Sequence, residues 1–95
     1  MSLNYRRLVF SSHAVQRMFS RQISEDEVKQ VIVCGEIIEE QPDDRSFPSY
    51  LILDFINNKP FHLVFAYDEV TGTGYVVTAY IPDSNLWTDN YRKRR

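Results

Sequence analysis

His13, Arg17 and Arg21 follow one another at intervals of four residues, directly after a Ser11-Ser12 pair that suits the start of a helix. At ~3.6 residues per turn this spacing stacks one imidazole and two guanidinium groups along a single helix edge. Such a row suits an anion. The free backbone N–H groups and the positive dipole end at the helix start add to the attraction for a phosphate oxygen. Ala14, Val15, Met18 and Phe19 form an apolar stripe beside the row, so the cations border the core, where the rim of a cleft would lie.

Cleavage of RNA by attack of its own 2′-hydroxyl needs a base, an acid for the leaving 5′-oxygen, and donors around a phosphorane-like transition state. The chain can supply each part. His62 or His13 can transfer a proton because imidazole titrates near neutrality, Arg17 and Arg21 can hold the phosphate, and Tyr80 and Thr78 can donate hydrogen bonds. Aromatic rings on an open sheet face can stack an unpaired base. The same residues also have plain structural roles: Thr and Tyr are ordinary strand formers, and a strand histidine is commonly half-buried. His13 and both arginines can equally brace helix against sheet through carboxylates such as Asp54 or Glu39.

The elements that must position these groups are legible in turn. Ile23, Ser24, Glu27 and Val28 spell a second helix start, with Ser24 as N-cap and Glu27 reaching back from the third position. Val28, Val31 and Ile32 repeat at helical spacing, and Gly35 predicts a left-handed residue after the helix end. The period then changes to two. Residues 36–40, 50–56, 61–67 and 75–81 read as four strands of an antiparallel meander, joined by turns at Asn57-Asn58-Lys59 and at residues 71–74 and by an acidic loop between Pro42 and Pro48. Two helices followed by four strands predict an α+β domain, with two N-terminal helices packed on a four-stranded antiparallel sheet and the opposite sheet face left available. Pairing Tyr67 with Tyr75 would set His62 across from Tyr80 and Val64 across from Thr78.

At 95 residues and 43% hydrophobic content the chain reads as one domain, residues 1–95, with a lead-in over 1–9 and a basic tail over 88–95. The net charge of −2 hides a segregation: residues 1–23 hold four arginines and no acid, whereas residues 24–58 hold nine acids against Lys29 and Arg45. The overall balance argues against tight nonspecific binding of nucleic acid and leaves a local basic patch in place. Cys34 is the only cysteine, which excludes an intramolecular disulfide and a cysteine-based zinc site and suggests a small core residue. With two histidines and no acidic partner near either in sequence, no metal or other cofactor is expected. No apolar stretch reaches the ~18 residues of a membrane span, so the expectation is a cytoplasmic protein without membrane contact. Trp87 is expected to pack the C-terminal segment onto the domain.

The run Ser12-His13-Ala14, Arg17-Met18, Arg21, Ile23-Ser24, Glu27-Val28, then Gly35 to Glu39, and finally Val77-Thr78-Ala79-Tyr80 and Trp87 resembles the bacterial family known as domain of unknown function 4258. The likeness spans roughly residues 10 to 90. That family looks like a RelE-like toxin branch of the barnase, EndoU, colicin and RelE ribonuclease superfamily. The resemblance implies a RelE-like toxin fold and a toxin-like, metal-independent endoribonuclease of the mRNA-interferase kind. RNA or ribosome-bound mRNA would be its target, and a cognate antitoxin of zinc-finger type its partner. By position, the implied site falls on His13, Arg17, Arg21, Thr78 and Tyr80, with His62 matching a third-strand histidine. The alternative is a noncatalytic toxin-fold module that holds a protein partner or RNA. An exposed edge strand would permit oligomerisation or strand addition by a partner.

Overall fold

The first helix begins where the sequence places it. In the computed structural model, which describes residues 4–42 and 47–95, α1 (Ser12–Arg21) is capped by the Ser11 hydroxyl, which accepts from Ala14 N–H at 2.9 Å. It ends at Gln22, whose left-handed φ of 56° turns its N–H back onto the carbonyls of Met18 and Phe19. The second helix, α2 (Glu25–Cys34), starts in a full capping box: Ser24 Oγ accepts from Glu27 N–H at 3.1 Å, and Glu27 Oε1 accepts from Ser24 N–H at 2.8 Å.

Gly35 closes α2 differently from the expected left-handed cap. Its φ of −73° is open to any residue, and what demands glycine is space. A Cβ there would stand 2.5 Å from both the Ile52 methyl group and the Val31 carbonyl oxygen. Cys34 is also corrected: it is exposed, because Val28, Val31 and Ile32 take the inward positions of α2.

The sheet differs from the four-stranded antiparallel meander expected. It has five strands and is mixed, in the spatial order β1 (Arg7–Phe10), β5 (Thr73–Tyr80), β4 (Lys59–Asp68), β3 (Ser49–Ile56) and β2 (Glu36–Gln41), with β1 parallel to β5. The extra strand comes from the supposed lead-in. Four residues are too few for a periodic signal, yet Leu8 and Phe10 pack against the core while Arg7 and Val9 are exposed. Gly74, the β5 partner of Leu8, makes room for the core beneath it, since a side chain at its position would collide with the Phe65 ring. Asn57 and Asn58, both at positive φ, make the tight β3–β4 turn.

Both helices lie on one sheet face. There Ala14, Met18, Val28, Val31 and Ile32 cover Ile52, Phe61, Leu63, Phe65, Val76 and Ala79. A bulge in β5 at Val77 adjusts the register: His62 pairs with Tyr80 and Val64 with Thr78, but Phe65 then pairs with Val76 and Tyr67 with Gly74. The expected partners of His62 and Val64 are therefore kept although Tyr67 is not opposite Tyr75. The extra residue also breaks strict alternation, so Val76 and Ala79 share the core face while Tyr75, Thr78 and Tyr80 share the other. On that second face a short C-terminal hairpin, β6 (Trp87–Thr88) with β7 (Lys93–Arg94), folds back over the sheet. The basic tail is thus an ordered part of the domain. Residues 43–46, the middle of the expected acidic loop, lie outside the described residues.

Candidate functional site

The α1 row is anchored at its start and open along its length. Ser11 does two jobs with one hydroxyl, capping α1 and donating to the Val77 carbonyl at 2.8 Å, while its N–H donates to the Val76 carbonyl at 3.0 Å. The helix start is thereby tied to the bulge of β5. Ala14 and Met18 are buried beneath it, and His13, Arg17 and Arg21 are exposed. None of the three side chains has a hydrogen-bond or ion-pair partner among the described residues, so the brace to Asp54 or Glu39 is not formed. Arg21 borders a cavity of about 230 Å³ that also touches Lys59, Phe61 and Ile81. Phe19, nominally part of the apolar stripe, is 87% exposed, on the outer side of the helix.

The His62 group is of the opposite character. His62 is fully buried, and both ring nitrogens are engaged. Because a carbonyl only accepts, Nε2–H donates to the Tyr91 carbonyl at 2.9 Å, and Nδ1 then accepts from the Tyr80 hydroxyl at 3.1 Å. The ring meets Trp87 edge-on at 4.5 Å and Tyr80 at 5.2 Å. Arg94 closes the stack from outside, its guanidinium 4.7 Å from the Trp87 ring centre. Burial pushes the His62 imidazole below its ordinary pKa, with Arg94 acting in the same sense; the Tyr91 contact and Glu39 oppose the shift without reversing it. Burial likewise raises the Tyr80 phenol, aided by Glu39 and opposed by Arg94. Burial disfavours the protonated ring, and the Tyr91 carbonyl selects the tautomer of the neutral one.

Tyr91 reaches His62 from a turn in which Asp89, Asn90 and Tyr91 have φ of 54°, 57° and 72°. Three successive left-handed residues without a glycine are uncommon, and a bulky aromatic is the least expected of them. The turn persists because it is held at several points: the Tyr91 carbonyl on His62, the Tyr91 ring against Phe55, and Arg92 on Glu36 through a bidentate pair at 2.9 to 3.1 Å. Tyr91, Arg92 and Arg94 were not singled out as site residues by sequence reasoning. The available signal was Trp87 followed by Tyr91 in an otherwise polar stretch, a pattern of anchorage.

The proposed site residues thus fall into two groups. His62 and Tyr80 are hydrogen-bonded, and Thr78 lies on the same face one pair further along. His13, Arg17 and Arg21 ride on α1, over the face that carries Val76 and Ala79. Among the described residues no hydrogen bond or ion pair joins the two groups. Nor do the described residues hold a cluster of three or more His, Cys, Asp or Glu side chains fit to take a metal ion. No helix among them is long and apolar enough to cross a membrane.

Fold and site define an α+β domain with helices on one face of a mixed five-stranded sheet and a hairpin sealing a buried histidine on the other. A family described as a domain of unknown function (DUF4258) matches over residues 10–81, and the chain belongs to that family. No curated protein and no solved structure gives a significant match.

Proposed function

We propose that the protein is a noncatalytic binding module that works by holding a protein partner. The observation that supports this most directly is the closure of His62. An imidazole with no accessible surface and both nitrogens occupied cannot exchange a proton with a substrate unless Trp87, Tyr91 and Arg94 first leave. The groups suited to phosphate binding sit on the helix side and share no hydrogen bond with it. A net charge of −2 adds no general attraction for nucleic acid.

One observation favours the second reading, a toxin-like endoribonuclease: His13, Arg17 and Arg21 are exposed and unpaired, so His13 is the histidine a phosphate can reach. RNA incubated with the purified protein and with its His13→Ala and Arg17→Ala variants separates the two. The binding module leaves the RNA intact in all three. Cleavage by the parent protein that falls on the order of a hundredfold in the Arg17 variant, the usual loss on removing a charge-stabilising donor, would overturn it.

A further inference from the structure

We infer that the free edge of β2 takes an extended, basic segment of the partner as an added sheet strand, which deepens the binding-module reading and rests on it. β2 is the outermost strand of the sheet, paired on one side with β3. Among the described residues, the N–H and C=O groups on its other side meet no further strand and no loop backbone. An edge left in this state is a template for one more strand. A trough of about 530 Å³ runs beside it, lined by the successive residues Gly35, Glu36, Ile37, Ile38, Glu39 and Glu40. Six residues of strand accept a segment of about six residues, or ~20 Å of extended chain.

Charge decides what can fill the trough. Three of the six strand residues are glutamates: Glu36, Glu39 and Glu40. Laying the β2 edge of a second copy against this one would bring six carboxylates together, which disfavours self-pairing. The bulge at Ile38 interrupts the ladder and further restricts which strand fits. A lysine- or arginine-bearing strand meets the opposite condition. The molecule already displays the match, because the guanidinium of its own Arg92 grips Glu36 in a bidentate pair. In such a complex, backbone hydrogen bonds supply the attachment, and alternate basic side chains on the face that Glu36 and Glu39 share supply the choice of partner.

The test uses a fluorescent seven-residue peptide of alternating lysine and valine, titrated into the full chain, with amide chemical shifts recorded on the labelled protein. The expected result is saturable binding with shifts concentrated over residues 36–41. Affinity should fall at least tenfold when the peptide is N-methylated throughout, and again in the Glu39→Lys/Glu40→Lys variant, whose unfolding midpoint is checked against the parent. Equal binding of the N-methylated peptide would reduce the effect to charge alone and overturn strand addition. Shifts confined to another surface, absence of binding, or sedimentation showing that β2 pairs with a second copy would do the same. RNA cleavage is scored separately. A protein that binds the peptide and cuts RNA would refute the noncatalytic reading, whereas one that does neither would refute the edge proposal alone.

Discussion

Replacing His62 by leucine tests the central structural claim, that this histidine is a sealed internal bridge. Leucine fills a similar volume and satisfies the apolar wall of Trp87, but it can serve neither the Tyr80 hydroxyl nor the Tyr91 carbonyl. Each of the two hydrogen bonds lost leaves one partner unsatisfied, at a cost of about 1–3 kcal/mol apiece where water stays excluded. Leucine packing recovers part of this, so the expected net loss is about 2–4 kcal/mol. For a domain of this size that lowers Tm by at least ~10 °C.

The same bridge has a signature in pH. Burial holds the His62 pKa in the folded protein below its value in the unfolded chain, about 6.5. Above that pH neither state protonates the ring and its contribution to stability is complete. As pH falls below ~6.5 the unfolded chain takes up the proton first, and stability drops with a slope approaching about 1.4 kcal/mol per pH unit until the folded-state pKa is reached. Urea unfolding of the parent and of His62→Leu, measured from pH 8 to pH 5, gives the comparison directly. The difference in stability between them should shrink as the solution is acidified. A variant as stable as the parent at pH 8, or a difference that does not change with pH, would refute the reasoning.

Three other expectations follow from contacts. Ser11→Ala should cost more than Ser24→Ala in urea unfolding, since each loses an N-cap worth about 1 kcal/mol but only Ser11 also ties its helix to the Val77 carbonyl. Gly35→Ala should destabilise by about 1–3 kcal/mol in spite of an unstrained φ, because its methyl group meets the Val31 carbonyl and Ile52; a neutral result would mean that the α2–β3 junction yields freely. Arg92→Ala should lower the thermal midpoint only at low salt, the difference from the parent vanishing near ~1 M salt, because its pair with Glu36 is solvent-exposed.

Helices, their N-caps and the order of strands β2 to β5 were legible in the sequence because each rests on local chemistry. Ser24 and Glu27, three positions apart, suffice to declare a helix start, and the alternation Phe61, Leu63, Phe65 needs only its own strand. The parallel strand was not legible for a physical reason. β1 is four residues long, and its pairing with β5 spans more than sixty positions of sequence, so nothing near Arg7 to Phe10 announces the partner. The bulge escaped for a related reason, since Val77 is an ordinary strand residue and only the competing demands of Val76 and Ala79 on the core reveal that one residue must be extra. Residue types alone assign His62 and the α1 arginines to one catalytic set. Strand geometry decides otherwise, because neighbours along a strand point to opposite faces and α1 covers the face that His62 does not use.

The two groups are nonetheless coupled through one strand. α1 is tied to the Val76 and Val77 carbonyls, and three residues beyond the bulge the same strand supplies Tyr80 to the His62 bridge. With the bulge in place, Val76 and Ala79 both enter the core while Thr78 and Tyr80 keep their partners on β4. Without the extra residue, one end of the strand would have to give way: either Val76 would turn out of the core or Tyr80 would turn away from His62. The position of α1 and the closure of the C-terminal hairpin are therefore set by a single register. A partner that pulled on α1 would strain the His62 bridge through the bulge, whereas a strand added at β2, at the far edge of the sheet, would reach it through Glu36, whose pair with Arg92 steadies the turn that carries the Tyr91 carbonyl.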